Sequence, residues 1–221
     1  MAVGDVALAI TALQRERLLE VLALETDDRR LATSVVMAPP GEAPERVSLQ
    51  ADAYALVQSD DGPRATLIEV DRGTTSPSRL QAKYAAYLAW KNEHGPERDF
   101  SVRALRVLTI APSARRSEKP HKAALDANHG KRSGFLLFAN SPDISPRDPA
   151  RLFEPIARVL GSDLRVPIFT RASGLCDPQV PRAPAGGTPP GTAMATLFAP
   201  GDRGALSRPL AVTASTWALT L

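Results

Sequence analysis

Apolar residues recur at near-helical spacing across Val6–Leu24, at Val6, Ile10, Leu13, Leu18, Val21 and Leu22. Gln14, Arg15, Glu16 and Arg17 fall between them, so the pattern predicts one amphipathic helix ending near the polar run Thr26–Arg30. Leu31–Met37 is a short apolar stretch that reads as a strand, and Ala38–Arg46, with Pro39, Pro40, Gly41 and Pro44, reads as a loop. Two strand-like runs follow, Val47–Gln58 and Ala65–Asp71. Asp61-Gly62 between them signals a hairpin, while Pro63 predicts a loop longer than two residues. Thr66–Asp71 is apolar on both faces until its end, as expected of a strand covered on both sides.

Beyond Gly73, Ser76 is a good N-cap and Pro77 a good first helical residue. They predict a helix over Pro77–Asn92, with Leu80, Tyr84, Tyr87, Leu88 and Lys91 on one side and His94-Gly95-Pro96 as its stop. Val102–Ala111 and Gly134–Ala139 are further buried-strand candidates, and Pro112-Ser113 is a helix start. Pro149–Leu160 reads as a short helix and Val166–Thr170 as a last short strand. Strands alternating with helices predict an α/β fold with a central mixed sheet flanked by helices. The organisation is then an N-terminal amphipathic helix over residues 1–30, an α/β core over 31–170 and a Pro/Gly-rich extension over 171–221.

The chain has 221 residues, 43% hydrophobic and 23% charged, which excludes a disordered chain, a collagen-like fibre and a disulfide scaffold. The single Cys176 has no partner for a disulfide or a zinc cluster and suits a reducing, cytoplasmic setting. No apolar run approaches the ~18 residues of a membrane span, and the N-terminal stretch lacks the features of a secretion signal. The formal charge of +3 says little by itself. Its placement says more, because Ser113–Arg132 carries Arg115, Arg116, Lys119, Lys122, Lys131 and Arg132 against Glu118 and Asp126. That cluster is either a phosphate-neutralising surface or a solvated helix face. Gly186-Gly187 and Gly191 sit in Pro-rich sequence without a strand-to-helix context, so no phosphate loop follows and no organic cofactor is expected.

Candidate chemistry concentrates on Asp52, Glu69, Asp71 and Lys83. Glu69 and Asp71, two apart on one strand, leave the same face. If the hairpin pairs Asp60 with Pro63, Asp71 lies opposite Asp52 and Glu69 opposite Tyr54, and the three carboxylates share one end of the sheet. They remain ionised together only with a cation between them, and oxygen ligands suit Mg²⁺ or Mn²⁺. Lys83, two turns into the next helix, reaches that cluster if the helix packs back on the sheet.

An Asp at the start of one strand, an acidic pair at the end of the next and a helix behind it resemble the core of the PD-(D/E)XK nuclease superfamily. More narrowly, ADAYALV, LIEVDRGT, the helix bearing Lys83 and Tyr87, RVLTIAPSARR and GFLLFA resemble the replication-relaxation family of plasmid and mobile-element proteins, over roughly residues 45–170. The resemblance implies a restriction-endonuclease-like core, association with DNA, and a replication or relaxase protein as partner. If the chain is active, it implies a Mg²⁺-dependent nuclease with Asp52, Glu69 and Asp71 on the metal and Lys83 as the cation at the scissile phosphate. Ala51 replaces the family's Pro, and Asp71 stands where a nuclease has its catalytic Lys. The alternative is a non-catalytic interaction module on the same fold. Simpler roles compete at each position. Asp52 suits a strand end, Glu69 with Arg72 or Asp71 with Arg79 suits an ion pair, Lys83 suits snorkelling to water, and Tyr84, Tyr87 and Trp90 suit core packing. His94, His121 and His129 are scattered and are not assigned as ligands.

Overall fold

The computed structural model describes residues 3–26, 31–38 and 43–171. The run that is apolar on both faces becomes an interior strand, β5 (Gly62–Val70), and the sheet is built outward from it. β4 (Ala53–Ser59) pairs antiparallel on one side, and β6 (Ala104–Ala111) and β7 (Ser133–Asn140) follow in parallel on the other. β1 (Val21–Glu25) extends the sheet beyond β4, while β8 (Ala157–Leu160) and the two-residue β9 (Arg165–Val166) close its far edge antiparallel. A separate hairpin, β2 (Ala32–Met37) with β3 (Glu45–Gln50), forms its own two-stranded sheet.

Helices cover both faces of this mixed sheet. α1 (Val3–Arg15) buries Val6, Ala9, Ile10 and Leu13 against Ala55, Val57, Ile68, Leu108 and Ile110. α2 (Pro77–Asn92) and α4 (Ala114–Ala127) bury the opposite face with Tyr84, Tyr87, Trp90, Ala123 and Ala124 against Leu67, Val107, Leu136 and Phe138. Each parallel crossover therefore carries its helix to the same side, and both helices start where a parallel strand ends. Their starts are as predicted, with the Ser76 and Ser113 hydroxyls accepting from the Arg79 and Arg116 backbone N–H groups. Among the described residues no helix is long and apolar enough to cross a membrane.

Four sequence expectations are corrected. The helix expected over Val6–Leu24 ends at Arg15, and Val21–Glu25 is a strand. The Leu18 N–H bonds the Leu13 carbonyl and the Arg17 N–H that of Gln14, a Schellman closure with Arg17 in the left-handed region at φ 58° where glycine is usual. The run Val47–Gln58 is two strands, broken at Ala51-Asp52 and belonging to different sheets. Pro149–Leu160 is a short 3-10 turn (Pro149–Phe153) followed by β8. The hairpin turn is two residues long, Ser59 facing Gly62. Asp60 and Asp61 keep negative φ, and Gly62 takes the left-handed strain at φ 104°, so Pro63 enters the strand directly. The Pro/Gly-rich extension lies outside the described residues.

A short helix, α3 (Gly95–Phe100), packs under the end of α2. The Trp90 indole is fully buried and donates to Asp99 at 2.7 Å, and the Thr33 hydroxyl of β2 donates to the same carboxylate. Gly95 lies so close to that indole that a Cβ would overlap its nitrogen. Gly95→Ala should therefore cost about 1–3 kcal/mol through overpacking, read as a lower midpoint in urea unfolding with unchanged slope.

Candidate functional site

Alternation along β5 sends Glu69 to the α2 face, where two helical turns place Lys83 and Tyr87 above it. The Lys83 ammonium donates to Glu69 Oε2 at 2.5 Å, and the Tyr87 hydroxyl donates to Oε1. Both Glu69 oxygens are thus engaged by donors from one helix. Next to them the Tyr84 and Thr109 hydroxyls are 3.0 Å apart, linking α2 to β6. Glu69 is 6% exposed and Tyr87 1%, whereas the Lys83 side chain is 36% exposed, so the pair opens to water only from the lysine side. Burial pushes the Glu69 carboxyl above its ordinary range, with Lys83 and Tyr87 pulling it back down. Burial raises the Tyr87 phenol well above its ordinary range, and Glu69 raises it further, so it stays a proton donor.

The hairpin register differs from the one expected. Ala53 faces Ile68 and Tyr54 faces Leu67, two residues out from the predicted pairing, so Glu69 instead of Asp71 lies across from Asp52. A shift of two preserves which face each side chain takes, and Asp52 does come near Glu69. Its role is local. The Asp52 N–H donates to the Ile68 carbonyl, and Asp52 Oδ2 accepts from the Val70 N–H at 2.7 Å, which ends the β4–β5 ladder. Asp71, 7% exposed, accepts from the Gly73 N–H at 2.9 Å through Oδ1, while its buried Oδ2 has no partner among the described residues. Asp71 also lines a crevice of about 230 Å³ at the strand ends, with Val70, Arg72, Ile110, Ala111, Pro112 and Ser141.

The three carboxylates therefore occupy one end of the sheet, each held by a different donor. As arranged they do not form a cage for a hard divalent ion. Glu69 already holds an ammonium, Asp52 and Asp71 each spend an oxygen on a backbone N–H, and among the described residues no three acidic, His or Cys side chains converge for a metal. Neither Glu69–Arg72 nor Asp71–Arg79 is an ion pair here; Lys83 takes Glu69 instead.

The basic residues divide into two groups. Arg115, Arg116, Lys119 and Lys122 lie on the first turns of α4, whereas Lys131 and Arg132 follow its far end, ~20 Å away at 1.5 Å rise per residue. The first group joins the acidic end of the sheet. Lys119 donates to the Thr75 carbonyl at 2.7 Å, and the Arg116 guanidinium lies against Gly73, whose φ of 76° favours glycine. Arg79 in the first turn of α2 and Arg72 before it are exposed at the same edge. Sequence reasoning missed Tyr87 as a donor, because a tyrosine on an apolar helix stripe reads as packing. It read Arg79 only as an ion-pair partner for Asp71 and left it out of the basic surface, although its place one turn after the Ser76 cap was a signal.

A carboxyl that binds its proton more tightly folded than unfolded favours the fold below its unfolded value near 4.5, and loses that favour as pH rises through the raised folded value. Lys83→Met removes the counter-charge and raises Glu69 further. The variant should lose about 1–3 kcal/mol at pH 7, discounted for the exposure of the lysine, and less at pH 5. Adding Glu69→Gln should restore most of the loss at pH 7. Urea unfolding at both pH values checks this, and an equal loss at both with no rescue removes the charge pairing as its cause.

Family models, curated proteins and solved structures each give no match to this chain.

Proposed function

We propose that this chain binds nucleic acid along the edge where β5 and β6 end and α2 and α4 begin, using a restriction-endonuclease-like core whose acidic site is neutralised from within. The carrying observation is the charge at the two helix starts. Neither helix has an acidic residue in its first turn; α2 has Arg79 there, and α4 has Arg115 and Arg116. A helix N-terminus carries about half a positive charge, so each cation placed there costs some 0.3–1 kcal/mol. Three arginines at two adjacent starts, with Lys119 fixed beside them, form a surface that becomes favourable when a phosphate backbone lies on it. The resemblance to replication-relaxation proteins supports a role in plasmid or mobile-element replication or transfer, with DNA and a replication or relaxase protein as partners.

A nuclease reading rests on one observation, the unpartnered Asp71 Oδ2 beside the strand-end crevice. A Mg²⁺ or Mn²⁺ ion at Asp52, Glu69 and Asp71 requires Lys83 to leave Glu69 first. The interaction-module reading needs no such rearrangement, and we favour it.

Replacing Arg79, Arg115, Arg116 and Lys119 by Gln should weaken duplex DNA binding about tenfold or more. The same change should lower the salt slope by up to ~0.9 for each phosphate no longer neutralised. Fluorescence anisotropy across a salt series measures both, and unchanged affinity and slope show a solvated face. Incubation of the wild type with plasmid DNA and Mg²⁺ or Mn²⁺ should leave the DNA intact and the melting temperature unshifted. Cleavage that Glu69→Gln abolishes transfers the assignment to the nuclease.

A further inference from the structure

At the opposite end of the sheet, ~20 Å from Asp71 at ~3.3 Å per residue of strand, two arginines share the α1 face. Thr66 pairs with Arg106 in the parallel register, and Arg64 lies two residues before Thr66, so the two guanidiniums leave the same face as diagonal neighbours. Arg106 is half-buried, and its only hydrogen-bond acceptor among the described residues is the Ile168 carbonyl, 2.5 Å from Nη2. No carboxylate among the described residues pairs with it. Burial, with the Arg64 charge beside it, pulls the guanidinium down to about 10. Arg64 donates through Nη2 to Asp61 at 2.6 Å, but Asp61 is 80% exposed, and the Arg64 Nε is buried without an acceptor.

A half-buried guanidinium beside a second one, with no counter-ion among the described residues, is unfavourable unless an anion completes it. Arg106 is partly exposed, and no acceptor for its Nε and Nη1 is present among the described residues. We propose that Arg64 and Arg106 form a binding site for a terminal phosphate, either inorganic phosphate or a phosphomonoester. A carboxylate offers two oxygens, which one arginine fork already satisfies. Two forks on neighbouring strands call for at least three acceptor oxygens and close to two negative charges, which a terminal phosphate supplies and an internal phosphodiester does not. This site is separate from the edge assigned above to the nucleic-acid backbone and does not depend on that assignment.

The probe is inorganic phosphate titrated into the full chain at fixed ionic strength, followed by ³¹P NMR and by the melting temperature. Saturable binding is expected, weakened at least tenfold by Arg106→Gln and several-fold by Arg64→Gln, and unchanged by Arg147→Gln, an exposed arginine outside both sites. Arg64→Gln alone decides the matter if Arg106→Gln does not fold. Binding that survives both arginine variants, no saturable binding, or acetate binding as tightly as phosphate each overturns the proposal. In a companion titration, Arg106-dependent preference for a 5′-phosphorylated over a 5′-hydroxyl oligonucleotide assigns the phosphate to a nucleic-acid end. Loss of that preference with phosphate binding retained assigns it to a small phosphomonoester.

Discussion

A carboxylate buried at the end of an interior strand needs compensation, and the compensation of Glu69 determines how α2 is seated. Its two oxygens face two donors, Lys83 and Tyr87, one helical turn apart on the same helix, so satisfying both fixes the rotation of α2 as well as its height over β5. Tyr84, one residue after Lys83, then meets Thr109 on β6 without further choice, and Trp90 is carried to Asp99. Apolar burial of Leu80, Tyr84 and Tyr87 would hold the helix against the sheet in several related positions. The polar contacts select among them.

The same end of the sheet brings opposite charges together without merging them. Acidic side chains point inward and are spent on the ammonium, the phenol and two backbone N–H groups. Basic side chains at the starts of α2 and α4 point outward, where the positive helix ends reinforce them. An approaching polyanion therefore meets the arginines before it meets the carboxylates. In a nuclease of the resembling superfamily the acidic groups would have to face the phosphate. Here Lys83, partly exposed, stands between Glu69 and solvent.

The sequence was legible where local signals and burial agreed. Ser76-Pro77 marked the start of α2, Ser113 that of α4, and the unbroken apolar runs marked β5, β6 and β7, because caps and two-sided burial leave residue-type signatures. The meeting of Glu69 with Lys83 was also within reach, since strand parity and two helical turns suffice to place both. What stayed hidden were features with no compositional mark. Arg17 closes α1 without a glycine, so β1 was absorbed into the helix. The Ala51-Asp52 break separates two sheets inside one apolar run, and only pairing partners reveal it. The register offset came from centring the two-residue turn on Asp61-Gly62, one residue beyond its place at Asp60-Asp61, because the Asp-Gly pair carries the turn signal while Gly62 in fact pairs with Ser59.

That offset decides what each acidic side chain can do. A shift of two residues preserves the face, so Asp52, Glu69 and Asp71 remain neighbours, yet it moves the direct cross-strand partner from Asp71 to Glu69. Asp52 can then cap the Val70 N–H, and Asp71, beyond the last pair, turns to the Gly73 N–H at the entrance to α2. Each carboxylate is the terminus of a different backbone element: the β4–β5 ladder, the β5 strand beneath α2, and the turn into α2. In three dimensions the acidic pattern makes strand-end and turn contacts around an internal ion pair. The lysine on the helix is what permits this, because it neutralises the one carboxylate that no backbone donor reaches.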